Sequence, residues 1–241
     1  MQTVFMTYNI QHGYMYRCPK STVNPIDLSR TTEVIRQSGA EIIGLNEVRG
    51  LGLTPDYTAQ AETMAASLGY HCFFGRSFYV NGTEPYGNAV LSRYPIVEAR
   101  VIRIPDAIGV RVEPRSVTRA VIEVPDGQLH RPIAVFSTHF DLSEEGREHA
   151  VSLLLSVLRD EALPFVLMGD FNTAPDSPLL EPLYDRLVSL DAGKDALTYP
   201  SHEPEEKIDY IFGSAGMKKI RAEALEAEAS DHRPLVSAVE W

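Results

Sequence analysis

The chain has 241 residues, 44% of them hydrophobic and 23% charged, which excludes disordered, collagen-like and coiled-coil classes. Its 33 acidic and 22 basic residues leave a formal charge of −11, so most of its surface repels a phosphate backbone and long duplex nucleic acid is disfavoured as a partner. The length suits a single domain over residues 1–241, and two cysteines, Cys18 and Cys72, read as reduced thiols rather than a disulfide framework.

The first strand is expected at Thr3–Ile10, and the segment around it lacks the basic start and apolar run of a signal peptide. A helix follows, with Asn24 as its cap, Pro25 at its first position and Gly39 as its stop. Strands are expected at Glu41–Asn46, Tyr70–Phe74, Gly87–Ser92, Val117–Val124, Ile133–Thr138, Phe165–Met168, Ile208–Phe212 and Leu235–Val239, each an apolar or β-branched run bounded by turn formers. Several are apolar on both faces, as strands covered by another layer are. A second helix spans Thr58–Leu68, and the strongest spans Glu144–Arg159, where Val151, Leu154, Leu155 and Leu158 recur at helical spacing. Val101–Pro114 and Ala192–Lys207 read as loops or edge strands. No run is long enough to cross a membrane, so the expectation is a cytoplasmic protein. Many strands and few helices, without strict alternation, predict an α+β layered domain. Neither a G-x-G-x-x-G nor a P-loop is present.

Polar and ionisable residues recur where these strands end. Asn9 closes the first and Glu47 the second; His139 and Asp141 follow IAVFST; Asp170 and Asn172 follow FVLMG; Asp231 and His232 precede the last. Strand ends on one sheet edge converge in space, and acids with imidazoles gathered there make a metal or acid–base site. Singly, Asp170 reads rather as a turn residue and either histidine as a satisfied core residue. Asp209 is different, because Ile208, Tyr210 and Ile211 flank it; an acid in a buried strand needs a partner, and His232 is the candidate.

The ordered set TYNIQHG, LNEV, GNAVLSRYP, STHFD, GDFN, IDYIF and SDHRP resembles the endonuclease/exonuclease/phosphatase superfamily, whose fold is like that of deoxyribonuclease I. The resemblance runs from the first strand to the last. It implies a four-layer α/β/β/α sandwich of two packed mixed β-sheets flanked by helices, with the site at one edge, and a divalent cation, Mg2+ or alternatively Mn2+. By position it makes Glu47 the main metal carboxylate with Asn9 and Asp231 close to the ion. Asp170 activates the attacking water, Asn172 positions water or phosphate, His232 paired with Asp209 meets the phosphate, and His139 adds a second imidazole. Asn88 matches a position near the phosphate.

Two departures are visible: Gln11 stands where many nuclease members carry an acid, and Asn46 where many carry Gln. Inter-motif segments are short, and the densest basic cluster, Lys218–Arg221, lies near Glu223, Glu226 and Glu228 and reads as a solvated face. Arg111, Arg115 and Arg119 are the better phosphate-binding candidates; Arg115 and Arg119 share a face if both lie on one strand. Tyr14, Tyr16 and Tyr86 are candidate stacking residues. The expected activity is metal-dependent hydrolysis of a small or flexible phosphodiester or phosphomonoester. A DNA or RNA nuclease using the same residues is the alternative, a catalytically silent phosphate-ligand module the second, and a zinc site of His139, His232 and Asp231 a variant.

Overall fold

The computed structural model describes residues 1–19, 25–107 and 113–241. Twelve strands run in chain order as β1 (Gln2–Asn9), β2 (Ile42–Arg49), β3 (His71–Val80), β4 (Glu84–Ser92), β5 (Ile96–Arg103), β6 (Ser116–Asp126), β7 (Leu129–His139), β8 (Phe165–Asp170), β9 (Val188–Ser189), β10 (Asp209–Gly213), β11 (Lys218–Ala224) and β12 (Leu235–Glu240). Helices are α1 (Leu28–Ser38), α2 (Gln60–Leu68), α3 (Glu144–Arg159) and the short α4 (Glu181–Tyr184). The strands form two six-stranded sheets, ordered β11-β12-β1-β2-β4-β3 and β5-β6-β7-β8-β10-β9. Each is mixed: β1 and β2 run parallel in the first, β7 and β8 in the second, among antiparallel neighbours.

Three apolar layers hold four structural layers together. Between the sheets lie Phe5, Ile42 and Val90 from the first, and Ile122, Val135, Val166 and Ile211 from the second. The next residues along each strand face outward: Met6, Tyr8, Ile43 and Leu45 meet Ile35 of α1 and Met64 of α2. On the other side Phe136, Leu167 and Phe212 meet Leu154 and Leu158 of α3. Period-2 alternation thus buries both faces of the central strands, which is why they read as continuous apolar runs. The layered α+β sandwich is as expected.

The boundaries carry corrections. The cap at Asn24 lies outside the described residues, and α1 starts at Leu28, so Pro25 precedes the helix. Asp27 supplies the cap instead, accepting the Ser29 N–H at 2.9 Å. Gly39 does end this helix and Gly69 the next, both left-handed. Strands β5, β9 and β11 were not expected as such: β5 and β11 are largely exposed, and β9 is two residues long. The segment 192–207 holds only an isolated bridge, Tyr199 to Glu206. Cys18 and Cys72 are free, and no helix of the described residues is long and apolar enough to cross a membrane.

Candidate active site

Strand register builds the site. Because β7 and β8 are parallel and β10 is antiparallel to β8, His139, Asp170 and Asp209 fall in one row across the second sheet. Asn9 and Asn46 are partners across the first. The two rows face each other. Asn9 Nδ2 donates to Asp170 Oδ2 at 3.0 Å and to Glu47 Oε1 at 3.2 Å. Asn46 reaches across as well: its Nδ2 donates to the Thr138 carbonyl at 2.9 Å, and its Oδ1 accepts the Asp170 N–H at 3.1 Å. Replacing Gln by Asn at this position therefore leaves a side chain that bridges the sheets.

Local backbone aims the acids. Glu47 does not close β2, which continues to Arg49; it sits in an irregularity between Leu45 and Val48, at φ 58°. Such a bulge turns one side chain out of the alternation. Gly169 (φ 153°) lets β8 approach β7 so closely that a Cβ there would lie 1.8 Å from the Thr138 carbonyl oxygen, and glycine is needed just before Asp170.

Asp170 is almost fully buried. Its Oδ1 accepts the Asn172 N–H at 2.9 Å; its Oδ2 lies 3.4 Å from His139 Nε2 and 3.6 Å from His232 Nε2. Burial pushes its carboxyl up to about 7, against the pull of His232. His232 Nδ1 donates to Asp209 Oδ2 at 2.9 Å, so the pairing expected for the buried strand acid is present. Burial alone would depress His232, but Asp209 and Asp170 outweigh it and push it up to about 10. His139 goes the other way: burial, then Arg115, hold it well below the usual imidazole range. Arg115 Nη1 lies 3.2 Å from His139 Nδ1; the guanidinium can only donate, so the proton of His139 sits on Nε2, facing Asp170.

Asp170, His139, His232 and Arg115 line an open cleft of about 650 Å³ with Asn9, Glu47, Asn172 and Asp231, and Asp209 sits behind His232 outside the lining. Asp231 accepts from Gln11 Nε2 at 3.0 Å and from Ser230 Oγ at 3.1 Å, so Gln11 holds this carboxylate with a neutral donor. Asp141 lines the cleft too but is engaged with the Ser143 N–H at 2.7 Å.

Two candidates fall elsewhere. Arg119 is buried on β6, with Nε 2.7 Å from Glu161 and Nη1 2.8 Å from Glu98, and does not line the cleft. Arg115 precedes β6, so the two arginines share no strand face; only Arg115 reaches the site. Asn88 is buried behind it, bonded to Asn46 and the Ser116 carbonyl. Arg111 lies outside the described residues. Of the tyrosines, Tyr86 packs against Phe78 with ring centroids 5.5 Å apart, Tyr16 meets His202 at 3.1 Å, and neither lines the cleft. Residues the sequence did not single out do: Glu113, Leu142, Tyr199 and Glu206. They stand in loops without periodicity, where no spacing marks them.

The donor chemistry fits a hard divalent cation. Glu47 and Asp231 face the cleft and form no ion pair among the described residues; burial raises the Glu47 carboxyl, and the Asn9 hydrogen bond offsets this only in part. Oxygen donors few in number suit Mg2+ or Mn2+. Carboxylate and imidazole atoms of Asp170, Asp209 and His232 also lie within 4.8 Å of one another, but His232 Nδ1 is already bonded to Asp209. With His139 Nδ1 facing Arg115, each imidazole has one ring nitrogen engaged within the protein, an arrangement that also orients imidazole ligands of a metal.

The family model described as Endonuclease/Exonuclease/phosphatase family matches residues 6–232. The Escherichia coli K12 protein YbhP is 29% identical over 220 residues, 83% of this chain and 80% of its own. An endonuclease/exonuclease/phosphatase from Beutenbergia cavernae superposes with a TM-score of 0.80 at 23% identity, over 99% of this chain and 71% of its own. The Bacteroides thetaiotaomicron mannosyl-6-phosphatase Bt3783 does so with a TM-score of 0.74 at 18% identity, over 99% and 100%.

Proposed function

Because the chain belongs to the endonuclease/exonuclease/phosphatase family, we propose that it is a metal-dependent hydrolase of phosphate esters acting on a small phosphomonoester or phosphodiester. The observation that carries this reading is Asp170, a buried carboxylate between two imidazoles, facing Glu47 and Asp231 across one cleft. The net charge of −11 and a cleft whose one arginine is Arg115 among the described residues support a small substrate over a nucleic acid.

Glu47, Asn9 and Asp231 are the residues that would hold Mg2+ or Mn2+, which supplies neutralisation of the anionic phosphate when bound. The protein groups divide the remaining work. Asp170 takes a proton from the attacking water, and the Asn172 amide orients that water. The Asp209–His232 pair keeps a cation beside the phosphate, where charge grows in the transition state. Arg115 offers guanidinium N–H groups to a phosphate oxygen and fixes the His139 tautomer.

The test is turnover of p-nitrophenyl phosphate, bis-p-nitrophenyl phosphate, short RNA and supercoiled plasmid with Mg2+, Mn2+, Zn2+ or EDTA. An Asp170→Asn/His232→Ala variant serves as the control for contaminants. Turnover of a small ester that EDTA and the double variant abolish supports the reading. Plasmid nicking without small-ester turnover moves the protein to the nuclease alternative.

A further inference from the structure

The reading above leaves the leaving group open, and the rim of the cleft constrains it. Tyr199 and Glu206 stand on the two arms of a tight turn. The Thr198 N–H donates to the Glu206 carbonyl at 2.8 Å, and the Glu206 N–H to the Tyr199 carbonyl at 2.8 Å. This turn is stitched to the segment carrying Asp231 and His232: the Ser201 N–H donates to the Asp231 carbonyl and the Arg233 N–H to the Thr198 carbonyl, both at 2.7 Å. The Tyr199 ring lies 4.9 Å from the His232 imidazole. The turn is therefore a built wall, fixed relative to the catalytic histidine.

The rest of the rim has the same character. Glu113, its side chain 60% exposed, lies 3.4 Å from Arg115 Nη2 and offsets the cation that meets the substrate phosphate. Leu142, 73% exposed, adds an apolar edge. Arginine and lysine are otherwise missing from the lining among the described residues. The cleft thus sets the Arg115 guanidinium at its floor, beside the carboxylates that would hold the metal, and carboxylates with an aromatic ring at its mouth. Carboxylates accept hydrogen bonds from hydroxyls and repel a second anion. An aromatic face covers the apolar side of a ring.

Resting on the phosphoesterase reading, we propose that the substrate is a single-phosphate ester of a neutral, hydroxyl-bearing ring, and that Glu113 and Glu206 with Tyr199 are the residues that select it. The phosphate enters first, to Arg115 and His232. The hydroxylated ring stays at the mouth, against Tyr199, with its hydroxyls toward the two carboxylates. A leaving group carrying a second phosphate or a nucleic-acid backbone meets uncompensated negative charge.

The test compares kcat/KM on glucose 6-phosphate, glucose 1,6-bisphosphate, ethyl phosphate and p-nitrophenyl phosphate. Wild type should prefer the monophosphate over the bisphosphate by about tenfold or more. Raising salt from about 0.05 to about 0.5 M should narrow that preference, because screening shortens the reach of the rim charges. Glu113→Gln/Glu206→Gln should cut the preference about tenfold at low salt, and Tyr199→Ala should lower the preference for glucose 6-phosphate over ethyl phosphate. Neither a salt response nor a change of preference follows from a purely structural role. Equal turnover of mono- and bisphosphate by wild type, or a preference that the double variant leaves intact, overturns the proposal and leaves the phosphoesterase standing. Silence on all four monoesters with Mg2+ and Mn2+, with bis-p-nitrophenyl phosphate turned over, overturns this proposal and leaves the phosphoesterase standing as a diesterase; silence on the diester as well overturns the parent reading and this one with it.

Discussion

Arg115 and Arg119 are the same residue type four positions apart, and they do different work. Arg115 lines the cleft and keeps one N–H, at Nε, without a partner among the described residues. Arg119 is a cross-link, joining Glu98 of β5 to Glu161 after α3. Arg115→Met should raise KM about tenfold or more through loss of charge-assisted bonds to phosphate, with melting temperature nearly unchanged. Arg119→Met should leave KM unchanged and strand the Glu161 carboxylate, whose side chain is 7% exposed. Breaking such a pair from one side costs about 3 kcal/mol, or about 6–12 °C in a chain of this size. A KM effect at Arg119 without loss of stability would refute this division. The pair was beyond the sequence because Glu98 and Glu161 are distant from Arg119 along the chain and neither stands in a motif. The Asp209–His232 pair was legible, since an acid among Ile208, Tyr210 and Ile211 demands a partner.

At the scale of elements, the linkage of Glu161 and the placing of Asp209 can both be tested. Burial alone would raise the Glu161 carboxyl, but the Arg119 hydrogen bond and the Leu163 and Ala162 N–H groups outweigh it, leaving it below its usual 4.5. A carboxyl depressed on folding contributes stability above that value, and the contribution disappears as pH falls through the folded value. The loss of stability caused by Glu161→Gln should therefore be full at about pH 6 and shrink below about pH 4.5, read from urea midpoints. A loss that grows on acidification would contradict the sign. The start of β10 rests on a buried ion pair: Lys207 Nζ donates to Asp191 Oδ2 at 3.0 Å and to the Asp209 carbonyl at 2.9 Å. Lys207→Met should lower kcat about tenfold or more and raise KM as well, since Asp209 holds the His232 that meets the phosphate. Lys207→Met/Asp191→Leu removes the orphaned charge and should recover stability without recovering kcat. Recovery of both would make the pair a fold element only. Elements themselves were legible where both faces are apolar, as in β8, or where apolar residues recur at helical spacing, as in α3. Strands β5 and β11 escaped because edge strands alternate weakly and carry charge. The bulge at Glu47 escaped because no residue type in LNEV requires a positive φ.

At the scale of the whole molecule, the cleft lies where the two sheets meet, and its residues are also the polar links between them. Asn9 of the first sheet holds Asp170 of the second, and Asn46 holds both Thr138 and Asp170. Glu47 and Asp231 bring negative charge to this junction and repel each other, a repulsion that His232 offsets only in part and that the unfolded chain relaxes. A cation bound by the folded state alone adds RT ln(1 + [L]/Kd), about 2.7 kcal/mol at a hundredfold excess over Kd. For a chain of this length that is about 5–11 °C in melting temperature. Mg2+ should therefore raise the melting temperature in a saturating manner, EDTA should reverse the rise, and Glu47→Gln should abolish it. The same substitution should raise the melting temperature of the metal-free protein, because it removes one of the repelling charges. An Mg2+ response that survives in Glu47→Gln would place the ion elsewhere. A metal-free Glu47→Gln protein less stable than wild type would mean that the Asn9–Glu47 hydrogen bond outweighs the repulsion, and the junction would then be held without a cation.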